Sequence, residues 1–392
     1  MKSNYRYIVK AFMAMAVIAG TTSCDDFLDR EPMSSISPET YYSTAAQLEA
    51  NLNDEYPNVL PSFGQWTYGI FGEDKGTDNQ IEVNANDRYT QDRWKVPHSE
   101  SDNWKFERIY RINFFLSEAL PKFGEDMSGS QNTISGSVAT IKHYIGEMYF
   151  LRAYEYFKKL QLFGDFPIIN QPLADEMEAL REASKRFPRN EVARFIISDL
   201  DKAYAYMSDV DMATTRINKD AAMLVKSRVA LFEATWLQNF KGTAFVPGGE
   251  GWPGASLHNN YQYPSGNLDN EVKYFLEQAV EASKLVADKY KGNLTENTGV
   301  LQQSADDPSN PYFDMFAQED LSDVKEVLLW RQYARGLSTH NINAAAGRGN
   351  YRIGLTRGFV QNFLMKDGTP VYAHGSYADG DGYYMGDKTV AD

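Results

Sequence analysis

The sequence holds one cysteine, Cys24, in 392 residues. No intramolecular disulfide can form, and a cysteine-based metal cluster is excluded. Positive charge is also short: 39 Lys and Arg stand against 53 Asp and Glu, a net charge of −14. A surface this acidic repels phosphate backbones and argues against nucleic acid as a partner. Histidines number five, and none forms HExxH or another two-His pattern at metal-ligand spacing, so neither metal nor cofactor is implied. There is no G-x-S-x-G elbow and no P-loop. The apolar run Ala11–Ala19 is too short for a membrane helix, which needs about 20 residues.

What the chain has in excess is aromatic side chains: 25 Tyr, 22 Phe and 6 Trp, or 14% of residues. It also has an N-terminal address. Lys2, Arg6 and Lys10 form a cationic start, the apolar run follows, and small residues Gly20-Thr21-Thr22-Ser23 lead to Cys24. That order reads as a secretory signal over residues 1–23 ending in a lipobox, although Thr21 replaces the commoner Leu; the alternative is ordinary secretion with Cys24 left as a free thiol or removed. Lipid on Cys24 would tether the protein to a membrane, since acyl chains contribute about 0.8 kcal/mol per buried CH₂. Residues 24–40, acidic and Pro- and Ser-containing, read as the lipidated tether.

Helical periodicity dominates the body. Ile109, Ile112, Leu116 and Ala119 share one face, as do Phe150, Ala153, Phe157 and Leu160. Val192, Ile196, Leu200 and Ala203 form a further set, followed by Ala222, Val225, Val229, Phe232 and Trp236, and by Val272, Phe275, Ala279, Ala282 and Val286. Helices are expected at 39–56 and at about 102–121, 137–162, 189–207, 217–240 and 268–290, with one short strand at Glu326–Trp330. Successive amphipathic helices with short connections predict a mainly α fold of tetratricopeptide-like helix pairs with few short strands. Long irregular loops interrupt it at 62–100, 241–267, 335–358 and 366–388.

Gly249-Glu250-Gly251-Trp252-Pro253-Gly254 satisfies G-x-G-x-x-G as a string. It follows a helix rather than a strand and leads into more loop, so it does not present amides to a pyrophosphate. Asp379-Gly380-Asp381-Gly382 resembles half of a calcium loop but lacks the closing Glu, and reads as an acidic turn. Exposed Tyr and Trp on loops suit saccharides, whose rings have apolar C–H faces and polar rims. Trp104, Trp236 and Trp330 fall on apolar helix or strand patterns and are expected in the core. Trp66, Trp94 and Trp252 fall in Gly-, Asp- and Asn-rich loops and are open to ligand contact or to loop packing. Tyr89, Tyr261 and Tyr351 follow as candidates on the same argument.

Several blocks resemble one known family. Cys24-Asp25-Asp26-Phe27-Leu28-Asp29-Arg30-Glu31-Pro32 is similar to the mature start of SusD/RagB-type nutrient-uptake lipoproteins of Bacteroidetes. Further matches are Trp104 with Ile109-Tyr110 and Ile112-Asn113, then Gly146-Glu147, Phe150-Leu151-Arg152-Ala153, Tyr156-Phe157, Leu160 and Phe163-Gly164-Asp165-Phe166-Pro167. Thr215 to Ala222, Lys226 to Leu231, Gly354-Leu355-Thr356 and Phe363 to Gly368 complete the set.

The resemblance implies a SusD-like α/α superhelix: a helical scaffold over 41–300 with the loop insert 62–100, and a partial ligand-side domain over 301–392. It implies a non-catalytic lipoprotein at the outer membrane, facing the cell exterior, that captures oligosaccharide or polysaccharide for a SusC-like TonB-dependent transporter. Asp78 and Trp94 fall where the family places polar and stacking glycan contacts. Such proteins continue beyond the Met365-Lys366-Asp367-Gly368 block, so the resemblance also implies a C-terminally incomplete chain. Two other classes remain open at this stage: a surface glycoside hydrolase, whose paired carboxylates need not be adjacent in sequence, and a helix-pair scaffold without saccharide affinity.

Overall fold

The computed structural model describes residues 41–64, 72–82, 103–124, 126–208, 212–300, 304, 306–334, 336, 339, 353–365, 367–370 and 373. Cys24, Trp66, Tyr89, Trp94, Tyr351 and the Asp379–Asp381 turn lie outside the described residues. Among the described residues nine α-helices and two strands follow in order: α1 (Ala45–Val59), β1 (Gln80–Glu82), α2 (Glu107–Phe123), α3 (Val138–Phe163), α4 (Met177–Ala183), α5 (Arg189–Tyr206), α6 (Lys219–Asn239), α7 (Leu268–Tyr290), α8 (Pro311–Met315), β2 (Ile353–Leu355) and α9 (Arg357–Val360). The mainly helical architecture expected from periodicity is the one found. Among the described residues no helix is long and apolar enough to cross a membrane.

The chain divides into two compact units. The first takes in residues up to Glu55, Ile109–Val210 and Val229–Leu276; the second takes in Tyr56–Arg108, Asp211–Arg228 and the residues from Glu277 on.

In the first unit α3 is the central helix. Its residues from His143 to Ala153 are all buried, the pattern of a helix with neighbours on every side. Ser137 caps its start, accepting a hydrogen bond from Thr140 N, and Gly164 ends it with φ of 69°. Gly146 explains how closely α5 approaches: a Cβ there would lie 2.8 Å from Met207 N and 2.9 Å from Ala203 O. Glycine inside a helix costs about 1 kcal/mol against alanine, so the close crossing has to recover that through packing. Phe115, Ile141, Ile145, Phe150, Tyr156, Ile196 and Leu200 fill the core. Each large apolar side chain buried this way contributes on the order of 2 kcal/mol.

One buried polar network ties these helices together. Arg152 of α3 donates from Nε to Asp199 Oδ2 at 2.6 Å and from Nη2 to Asp199 Oδ1 at 2.8 Å. Its Nη1 donates to Asn113 Oδ1 of α2 at 2.9 Å, and Asn113 Nδ2 donates to Ile169 O at 2.8 Å. The bidentate geometry satisfies both carboxylate oxygens, which makes a buried charge pair tolerable.

The second unit contains the two-stranded antiparallel sheet, with Gln80 opposite Leu355 and Ile81 opposite Gly354. The strand expected at Glu326–Trp330 does not form. That segment leaves a turn in which Val327 N donates to Val324 O at 3.0 Å, and among the described residues it pairs with no strand; Leu328 O accepts from Asn218 Nδ2 at 2.6 Å, and Trp330 N donates to Thr214 O at 3.1 Å. Side-chain and loop partners thus satisfy the backbone groups that a sheet would have paired. Trp330 is half-buried rather than enclosed, its indole N–H donating to Thr214 Oγ1 at 2.8 Å.

Candidate functional site

The insert between α6 and α7 folds back on the first unit as a packed loop. Its glycines permit close chain approach. A Cβ on Gly249 would sit 1.9 Å from Thr243 O, and one on Gly254 would sit 2.2 Å from the Trp252 ring. The G-x-G-x-x-G string therefore serves tight turns in this loop, with one 3-10 turn at Pro253–Ser256.

Asp165, in the turn after α3, fastens the loop to the helices. Its Oδ2 accepts from Trp252 Nε1 at 2.7 Å and its Oδ1 accepts from Arg189 N at 2.9 Å. Burial pushes the Asp165 carboxyl above its ordinary range, and the bonds from Trp252 and Arg189 oppose that push. Trp252 is 5% exposed and packs beside His258 and Tyr261, with ring centroids 5.9 and 5.6 Å away. Tyr261 is half-buried and its hydroxyl donates to Asn190 Oδ1 at 3.1 Å. Burial raises the Tyr261 phenol well above its ordinary value of 10.0, so it acts as a neutral donor.

A second set of bonds fixes the far end of the loop. Arg194 donates to Glu271 Oε1 at 2.7 Å and to Glu271 Oε2 at 2.9 Å, and Asn190 Nδ2 adds a bond to Oε1 at 3.0 Å. Ser265 N donates to Glu271 Oε2 at 3.1 Å. Burial alone raises the Glu271 carboxyl; the Arg194, Asn190 and Ser265 bonds outweigh it and hold the group below its ordinary value.

Between the loop and the helix ends lies a cavity of about 530 Å³. Trp236, Phe245, Trp252, Pro253 and Leu257 supply apolar lining, with Leu162 and Phe163 from the end of α3. Gln161, Asp165, Arg186 and Arg189 supply polar groups. The volume lies within the roughly 300–1,000 Å³ typical of small-molecule sites.

Trp236 corrects an expectation. It sits on the apolar stripe of α6, but it is half-buried and lines the cavity instead of the core. Its Nε1 donates to Phe245 O at 3.0 Å, and the Arg189 guanidinium lies 4.1 Å from its ring centre. Arg189 in turn is bonded to the fully buried Glu233, with Nε to Oε1 at 3.0 Å and Nη2 to Oε2 at 2.9 Å. Burial pushes Glu233 upward and Arg189 opposes it. Trp104 is likewise half-buried, edge-on to Phe106.

Of the described candidates, Trp252 and Tyr261 come together at this loop. Asp78 belongs to the second unit, exposed in the turn before β1, where its backbone oxygen accepts a hydrogen bond from Thr356 Oγ1. Sequence reasoning missed Trp236, Phe245 and Gln161 as cavity wall. One signal was available: Trp236 lies in the last turn of α6, next to the glycine-rich insert, where a helical stripe meets a loop. Among the described residues no group of three or more His, Cys, Asp or Glu is placed to hold a metal ion.

A family profile described as SusD-like, starch-binding and associating with the outer membrane, matches residues 26–231, more than half of the chain. Two SusD-like proteins of Formosa agariphila are each 25% identical, over 233 and 253 residues. These alignments cover 55% and 62% of this chain but 41% and 46% of the relatives, so the chain spans less than half their length. The crystal structure of a SusD-like carbohydrate-binding protein from Bacteroides fragilis is similar in fold, with TM-score 0.52 and 15% identity, covering 86% of this chain and 57% of that one. A second SusD-like structure from the same organism matches with TM-score 0.53 and 18% identity over 88% and 59% of the two chains. The helical fold, the sequence blocks and the profile match agree: this chain belongs to the SusD/RagB family.

Proposed function

We propose that the protein is a glycan-binding lipoprotein of the cell surface. It captures oligosaccharide or polysaccharide and passes it to a SusC-like TonB-dependent transporter, without cleaving it. The observation that carries this reading is the match of residues 26–231 to a family described as starch-binding and associating with the outer membrane. Lipid on Cys24 is the proposed anchor, holding the protein on the outward face. Trp66, Asp78, Tyr89, Trp94, Trp252, Tyr261 and Tyr351 are the proposed glycan contacts. Aromatic rings would meet sugar C–H faces and the carboxylate would take hydroxyl protons, each exposed stack contributing on the order of 1 kcal/mol.

Native electrophoresis of the full chain through gels cast with starch, laminarin, xylan or mannan tests the reading. Retarded migration in at least one gel, with the chain length of that polysaccharide unchanged after incubation, is expected. Unchanged mobility in every gel would remove glycan capture, and shortened polysaccharide would replace it with hydrolysis. The anchor has its own test: Cys24→Ala should move the protein from the membrane to the soluble fraction.

A further inference from the structure

The cavity beneath the α6–α7 loop combines features that a flat aromatic surface lacks. Its apolar lining includes side chains that protein packing leaves open: Phe245 is 61% exposed and Leu257 53%. Trp236 is held in place by its bond to Phe245 O and by Arg189 against its ring, so the wall is set before any ligand arrives. Polar groups converge on the same space. Each Asp165 oxygen accepts one hydrogen bond. A carboxylate has about four lone-pair sites, so capacity remains for two more donors. Gln161, exposed at the end of α3, adds an amide with both donor and acceptor.

We infer that this cavity is a binding pocket for a short, neutral saccharide segment. A sugar ring would lie against Trp236 and Phe245, and its hydroxyls would donate to Asp165 and exchange bonds with Gln161. The inference rests on the glycan-capture reading and assigns it a site built around residues outside the loop candidates. Two arguments select this ligand class. An apolar side chain from a partner protein would fit the walls but would strip water from Asp165 without supplying donors, an uncompensated cost of about 1–3 kcal/mol. An anionic glycan would bring its charge against Asp165, and of the two lining arginines Arg189 is already paired with Glu233.

Tryptophan emission of the full chain, titrated with maltotetraose, laminaritetraose, cellotetraose, xylotetraose and mannotetraose, tests the assignment. A saturable change with at least one of these is expected. Trp236→Phe should reduce that change, what remains coming from Trp252 in the same lining. Phe245→Ala, a truncation at an exposed position, should weaken calorimetric affinity roughly fivefold, as expected for loss of one stack; Leu257→Ser checks the opposite wall. Far-UV circular dichroism identifies any variant that fails to fold. If a tetrasaccharide binds all three variants as tightly as the parent and the emission change survives Trp236→Phe undiminished, saccharide binds elsewhere and the pocket assignment falls while glycan capture stands. If neither tetrasaccharide nor polysaccharide binds, both fall. If a phenylalanine-rich peptide alone binds, and Phe245→Ala abolishes it, the cavity serves a protein partner and the saccharide assignment is overturned.

Discussion

The Arg189 guanidinium lies 4.1 Å from the centre of the Trp236 ring while it is paired with buried Glu233. One arginine therefore orients a cavity-wall indole and neutralises an acid in the core. The stability of the first unit and the shape of its cavity are coupled through this residue.

Removing one partner of that pair leaves the other charge buried and uncompensated. Glu233→Gln should destabilise the protein by about 3–5 kcal/mol, seen as a lower thermal midpoint. The double variant Arg189→Met with Glu233→Leu should recover most of the loss, because an apolar pair of similar volume needs no neutralisation. A single Glu233→Gln variant as stable as the parent would contradict the pairing.

The Trp252 bond to Asp165 ties the loop to the turn after α3. Trp252→Phe removes the indole donor and keeps much of the apolar contact. A hydrogen bond to a charged acceptor is worth about 1.5–3 kcal/mol, and the loss should appear locally. Limited proteolysis should cut faster within residues 241–267, with the helical circular dichroism unchanged. Equal cleavage rates would show that the bond does not hold the loop.

Glu271 predicts a pH dependence of definite sign. Its folded carboxyl is held below its ordinary value of 4.5, so the unfolded chain binds its proton more readily. The resulting stabilisation is fully present above 4.5 and is lost as pH falls through the lowered folded value. Asp165 acts in the opposite sense: raised by burial, it contributes less as pH rises past its ordinary 3.8. Urea midpoints measured between about pH 3 and 6 should fall on acidification, and Glu271→Gln should flatten that fall while Asp165→Asn should not.

Much of the scaffold was legible in the sequence because periodicity records burial. Ile109, Ile112, Leu116 and Ala119 are all buried, as are Val192, Ile196, Leu200 and Ala203. The same rule misplaced Trp236, since a stripe marks which side of a helix is covered and not whether a loop leaves a cavity above its last turn. Glu326–Trp330 reads as a strand because Val327, Leu328 and Leu329 are apolar. Strand formation also needs a partner edge, and Asn218 and Thr214 take its backbone bonds instead. The first α4 helix residues, Met177 onward, carry no apolar stripe, and the helix buries none of its residues; nothing in the pattern announced it. Trp252 shows the limit for sites: glycine-rich surroundings suggested a loop, but not that Asp165, 87 positions earlier, would receive its N–H.

The most direct test of aromatic saccharide capture is saturation-transfer NMR on the full chain. The aromatic protons are irradiated and the signal is read on whichever tetrasaccharide binds. Transfer should be strongest to the C–H protons of one face of a single sugar ring, and it should fall in Phe245→Ala. Bound sugar that receives no transfer from aromatic protons would contradict the account.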